Sequence, residues 1–118
     1  MTELVLPMPV STNVYYRKYR GRMVISEKGR RYAAIVRSLL LTQYPRVKTV
    51  TGRLKCEITL HEPDRRKRDL DNFCGKALLD AMQKAGLYED DSQIDSLVIK
   101  RGEVVKGGLV KVKIGVIE

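Results

Sequence analysis

The spacing of apolar side chains divides the chain into strands and helices. In "RLKCEITLH", residues 53–61, Leu54, Cys56, Ile58 and Leu60 alternate with Arg53, Lys55, Glu57 and Thr59, the period of a strand with one buried face. Cys56 therefore points inward. Upstream, Tyr32, Ile35, Val36, Leu39 and Leu40 recur at the three-and-four spacing of a helix that Ser26 can cap and that ends before Pro45. Downstream, Leu70, Cys74, Ala77, Leu78, Ala81, Met82 and Ala85 form a second helical stripe, which predicts a helix from about Asn72 to a stop at Gly86 and places Cys74 in the core. Short strand-like runs flank these segments. "ELVLPM" predicts a first strand, "VYYRKYRGRMVI" a hairpin turning near Gly21, and "IDSLVIK" and "LVKVKIGVI" two closing strands joined across Gly107 and Gly108. The predicted order is β-β-β-α-β-α-β-β. This is an α+β fold, a single compact domain over residues 1–118 with two main helices packed on a mixed β-sheet.

Length and composition narrow the class. The 118 residues suit one domain, and no apolar run is long enough to cross a bilayer. "MTELVLPMPV" carries an acidic residue and two prolines where an export signal needs a basic start and an unbroken apolar stretch, so no membrane role is expected. Two cysteines, Cys56 and Cys74, are too few for a disulfide framework, and a cytoplasmic location is the simplest expectation. The 23 Lys and Arg against 14 Asp and Glu give a net charge of +9, which calls for a polyanionic partner. Between Tyr15 and Arg37 eight cations stand against Glu27 alone, and Tyr15, Tyr16 and Tyr19 are interleaved with Arg17, Lys18, Arg20 and Arg22. Phosphate contacts from the cations and base stacking by the tyrosines are the expectation.

Within this basic chain, "RRKRDLDNF" runs Arg65, Arg66, Lys67 and Arg68 straight into Asp69 and Asp71. On a helix the two aspartates would diverge by roughly 160°. In extended backbone they share a side, about 6.6 Å apart along the chain, from which both carboxylates can reach one hard cation. Mg²⁺ is the expected occupant, with Mn²⁺ a plausible substitute. The flanking cations attract a phosphate backbone while the metal would activate water against one phosphate. Lys76 lies near Asp69 in angle on the following helix and suits transition-state charge. "LYEDDSQI" supplies Glu89, Asp90 and Asp91, from which a third carboxylate can return. Competing readings remain: a D-x-D pair also serves as a helix cap or an arginine partner, and "RRKR" also suits a localisation patch. His61, the only histidine, falls at a strand end where solvent contact is expected. Cys56, His61 and Cys74 lack a fourth ligand for zinc. Without a glycine-rich phosphate loop, no nucleotide cofactor is expected.

Residues 64–94, "DRRKRDLDNFCGKALLDAMQKAGLYEDDSQI", resemble the signature of the RusA family of Holliday junction resolvases, D-R-R-x-R-D-x-D-N, a following lysine and a later D-D-x-Q-I. "PVSTNVYYRKYRGRMVISEKGRRY" is similar to the family's opening, including Asn13, Tyr15, Tyr16 and Arg17; Val10 departs by standing where a second proline is usual. The resemblance implies a homodimeric, Mg²⁺-dependent endonuclease, often phage-borne, that nicks opposed strands of a four-way DNA junction. It places metal-binding aspartates at Asp69 and Asp71, a catalytic lysine at Lys76, and a third acidic ligand at Asp91, with Asp90 the alternative. A binding-only basic DNA protein and a nuclease for other branched DNA are the other two expectations the sequence supports.

Overall fold

The computed structural model describes residues 1–117. A four-stranded sheet is built from β1 (Thr2–Leu6), β4 (Leu54–His61), β5 (Ile94–Arg101) and β6 (Leu109–Val116), in the order β1-β6-β4-β5. Strands β2 (Tyr16–Tyr19) and β3 (Arg22–Ile25) form a separate hairpin. The helices are α1 (Thr12–Tyr15), α2 (Glu27–Gln43) and α3 (Gly75–Lys84), with 3₁₀ turns at Leu70–Asn72 and Asp91–Gln93. Strands β1, β6 and β4 pair antiparallel, whereas β4 and β5 are parallel and α3 lies in the connection between them. The sheet is therefore mixed, and the predicted order holds with one short helix added.

The alternation in β4 buries Leu54, Cys56, Ile58 and Leu60 on one face. Leu4, Leu6, Val110, Val112 and Ile114 extend that face, and α2 and α3 cover it with Tyr32, Val36, Leu40, Leu78, Ala81 and Met82. Both thiols are buried, and desolvation pushes Cys56 up to about 11. Ser26 caps α2 by accepting from the Gly29 N–H at 3.1 Å, and the helix stops at Gln43, ahead of Pro45. Gly86, at φ +86°, lies just beyond the end of α3. No helix among the described residues is long and apolar enough to cross a membrane.

Three local expectations are corrected. The chain makes a helical turn at Thr12–Tyr15 before the hairpin, so the extended strand starts at Tyr16. On α2 the buried line is Gly29, Tyr32, Val36 and Leu40; Ile35 falls at its solvent edge and is 45% exposed. His61 is buried rather than solvated, because the loop after β5 folds over it. The Gly102 N–H donates to the Leu60 carbonyl at 2.8 Å, and His61 Nδ1 lies 2.8 Å from the Glu103 carbonyl. A side chain at Gly102 would collide with the imidazole, since a Cβ there would stand 2.6 Å from His61 Cε1.

Gly29 is where α2 meets the segment before the hairpin: an added Cβ would stand 2.8 Å from both Tyr15 Cδ1 and Ile25 Cγ2. Alanine gains about 1 kcal/mol of helix propensity over glycine, but forcing a methyl into packed side chains costs about 1–3 kcal/mol. Gly29→Ala is therefore expected to lower the urea midpoint, and an unchanged or raised midpoint would contradict this packing.

Candidate active site and nucleic-acid interface

The chain leaves β4 through a loop held by one arginine. Arg68 pairs with the largely buried Glu62 at 3.5 Å and with Asp64 at 2.8 Å, while its carbonyl accepts from Arg101 Nη2 at 2.6 Å. The Arg68 guanidinium and the Arg66 backbone N–H hold the Asp64 carboxyl down at about 2. Of the four consecutive cations, Arg65, Arg66 and Lys67 are exposed, whereas Arg68 is half-buried and engaged in holding the loop.

The aspartate pair follows. Asp69 is extended, at φ −79° and ψ 135°, but Leu70–Asn72 closes into a 3₁₀ turn in which the Asn72 N–H donates to the Asp69 carbonyl at 3.1 Å. The extended run expected through Asp71 is thus interrupted. Phe73 and Cys74 stay non-helical, so α3 starts at Gly75 instead of Asn72. Both carboxylates are exposed, and Asp69 makes no capping hydrogen bond. Asp69 also lines a cavity of about 480 Å³ between the N-terminal loop and this segment, together with Asn13, Lys67, Arg68, Asn72 and Phe73.

The side chains that the fold brings together lie one step further on. Lys76, in the first turn of α3, places Nζ 3.2 Å from Asp80 Oδ1 and 3.6 Å from Asp91 Oδ2. The Tyr88 hydroxyl shares its one proton between the Leu79 carbonyl at 2.6 Å and Asp91 Oδ1 at 3.0 Å, and the Asp91 N–H donates to Gln83 Oε1 at 3.2 Å. Tyr15 donates to Asp80 Oδ2 at 2.7 Å. Asp90, by contrast, caps the Asp91–Gln93 turn, accepting from the Ser92 N–H at 3.1 Å, so it is Asp91 that faces Lys76.

Electrostatics separates the two carboxylates. Burial pushes the Asp91 carboxyl above its ordinary range, and the neighbouring Asp80 adds to the shift. Asp80 feels the same burial, but hydrogen bonds from Tyr15 and Lys76 outweigh it and hold its carboxyl below the ordinary value. Lys76 is raised, chiefly by its hydrogen bond to Asp80. An ammonium thus stands between an ionised carboxylate and one that ionises less readily. Sequence reasoning missed Asp80. Its signal was present, because Asp80 follows Lys76 by four residues on the polar side of the apolar stripe, the spacing that brings opposite charges together on a helix.

Among the described residues no three His, Cys, Asp or Glu side chains are gathered as a metal-binding group. Asp69, Asp71 and Asp91 therefore do not converge on one point in this arrangement. Their donors are nevertheless all carboxylate oxygens, the kind that Mg²⁺ takes.

On the hairpin, Arg17, Lys18, Arg20 and Arg22 are exposed, as is Asn13 on α1. The guanidinium carbons of Arg17 and Arg20 lie 5.3 and 5.2 Å from the centre of the Tyr19 ring. Tyr15 departs from the expected stacking role. It is 2% exposed, wedged beneath Gly29, with its hydroxyl turned to Asp80. Tyr16 is half-buried, its ring edge-on to Tyr15 at 4.8 Å, which leaves Tyr19 as the exposed ring of the three.

Comparison with known proteins identifies the family. Residues 6–116 match the family model described as Endodeoxyribonuclease RusA. The crossover junction endodeoxyribonuclease of Enterobacteria phage HK97 is 38% identical, over 98% of this chain and 95% of the phage protein. Those of Escherichia coli (strain K12) and Enterobacteria phage 82 are 39% and 40% identical, each over 94% of this chain and 91% of the relative. With a family match across nearly its whole length and Lys76 set beside Asp91 on a strongly basic fold, this chain belongs to the RusA family of endodeoxyribonucleases.

Proposed function

We propose that the protein is a Mg²⁺-dependent nuclease that resolves four-way DNA junctions by paired nicks in opposed strands, acting as a homodimer in cytoplasmic recombination and repair. The observation that carries this reading is the approach of Lys76 to Asp91, from α3 and from the turn before β5, with Asp69 and Asp71 exposed in the segment that leads into α3. Relatives named crossover junction endodeoxyribonucleases, similar along nearly the whole chain, support the junction as substrate.

The residues divide the work. Arg17, Lys18, Arg20 and Arg22 on the hairpin, with Arg65, Arg66 and Lys67 on the loop, bind phosphates and orient the duplex arms. Asp69, Asp71 and Asp91 would hold Mg²⁺, or Mn²⁺ in its place, which supplies an activated water and neutralises charge at the scissile phosphate. Lys76 carries the mobile charge: its ammonium, now shared between Asp80 and Asp91, can turn to a phosphate oxygen as negative charge gathers there. A two-fold dimer would present the same site to each of two equivalent strands. The separation of Asp69 and Asp71 from a closed three-carboxylate group favours one other reading, a basic protein that binds branched DNA without cutting it.

A labelled synthetic junction separates these readings. Symmetric nicks in Mg²⁺ that vanish in EDTA are expected, and tight binding without nicks would leave the binding-only protein. Asp71→Asn should reduce single-turnover cleavage to background. Its affinity in EDTA should hold or rise, because a negative charge beside the phosphate track has been removed. Wild-type cleavage by a folded Asp71→Asn protein would reduce this aspartate to part of a turn. Arg17→Ala with Arg20→Ala should flatten the dependence of log binding constant on log salt by about two units, about one for each phosphate that is no longer neutralised. An unchanged slope would put the DNA track elsewhere.

A further inference from the structure

Asp80 has a position that neither metal binding nor DNA contact explains. It lies in the middle of α3, where aspartate is a poor helix former, and its side chain is only 17% exposed. Both oxygens are committed, Oδ1 to Lys76 at 3.2 Å and Oδ2 to the Tyr15 hydroxyl at 2.7 Å. Tyr15 is the last residue of α1 and immediately precedes the first strand of the basic hairpin. Its carbonyl accepts from the N–H of Ser26, the residue after the second strand, at 2.7 Å, so the two strand ends meet at the base of the hairpin. Gly29 closes over its ring, fixing where the hydroxyl points.

We infer that Tyr15 and Asp80 form a positioning relay that ties the seating of the hairpin on DNA to the placement of the Lys76 ammonium beside Asp91. The inference rests on the proposed nuclease function and adds to it two residues that touch neither metal nor DNA. Two side-chain hydrogen bonds join the segment before the hairpin to the acidic region, Thr12 to the Asn72 carbonyl at 3.3 Å and Tyr15 to Asp80. Of these, the Tyr15 bond ends on a group that holds Lys76. A lysine side chain has four rotatable bonds and loses considerable freedom when fixed, so its location depends on the anion that anchors it. Here that anchor is itself oriented by the hairpin root. When phosphates draw Arg17 and its neighbours, a shift of the hairpin passes through the rigid phenol to Asp80, and so to the ammonium. Misplacement by about 1 Å, from a change remote from the chemistry, is enough to slow an enzyme by about 100-fold.

The test uses Tyr15→Phe, which keeps the packed ring and removes only the hydroxyl, and Asp80→Asn, which keeps an acceptor for Tyr15 and removes the anion that holds Lys76. Each is made alone and in the Lys76→Ala background. Both single variants should bind junction in EDTA within about twofold of wild type, while single-turnover cleavage at saturation falls about 10-fold or more. In the Lys76→Ala background neither should slow cleavage further, because the relay acts through that lysine. A fold-support role would instead slow cleavage by the same factor in both backgrounds, and that result, or a Tyr15→Phe protein cutting at the wild-type rate, overturns the relay. Isotope-labelled lysine NMR reads the same link without any cleavage. In EDTA, junction binding should move the Lys76 resonance, identified by its loss in Lys76→Ala, and Tyr15→Phe should blunt that movement. An equal response in Tyr15→Phe overturns the relay. Absence of cleavage by the wild-type protein would instead sink the nuclease reading, with the NMR comparison still deciding the relay.

Discussion

One ammonium held between two carboxylates joins α3 to the turn before β5. Lys76 reaches Asp80 and Asp91 from the same turn of α3, and each partner is fixed by a tyrosine, Tyr15 on one side and Tyr88 on the other. Two carboxylates this close disfavour each other's ionisation, and a nearby cation relieves that conflict. The free protein supplies its own cation in Lys76. On the proposed function, a divalent ion arriving with a phosphate would be held in part by Asp91, which would free the ammonium to turn to the substrate. The site therefore needs a lysine long enough to hold either partner, on a helix rigid enough to keep its root still.

The scaffold meets that second need. Helix α3 presses Leu78, Ala81 and Met82 into the sheet, while Tyr88 hydrogen-bonds the Leu79 carbonyl at 2.6 Å and so ties the Asp91 turn to the same helix. The parallel pairing of β4 with β5 sets the two ends of the connection at opposite ends of neighbouring strands, the exit from β4 beside Arg101 and the entry to β5 beside Leu54, and α3 lies between them. Asp69 and Asp71 follow β4, and Asp91 immediately precedes β5. The exposed cations of the hairpin and of the loop after β4, on a chain of net charge +9, attract a polyanion.

Much of this was legible in the sequence, for reasons that particular residues make plain. The strict alternation of Leu54 to Leu60 and the stripe from Ala77 to Met82 reflect burial on one face, which periodicity reports directly. The family signature placed Lys76 and Asp91, and these meet. The failures share a cause, tertiary contact between segments distant in sequence. Tyr15 reads as one of three aromatic rings among cations, and only the approach of Gly29 and Asp80 takes it out of solvent. His61 reads as a strand end, and Gly102, far along the chain, covers it. Asp80 reads as an ordinary polar-face residue until Tyr15 arrives. The Leu70–Asn72 turn failed differently, because three residues are too few for any period to show.

On the proposed function, Lys76 and Asp91 are expected to change partners when metal and DNA bind. Anomalous diffraction from manganese, in crystals of the Lys76-intact protein with an uncleavable four-way junction, measures this directly. A manganese peak is expected at coordination distance from Asp71 and Asp91, with the Lys76 ammonium released from Asp91 and directed at the scissile phosphate. A bound complex in which Lys76 still pairs with Asp91 and the ion lies away from both aspartates would contradict it.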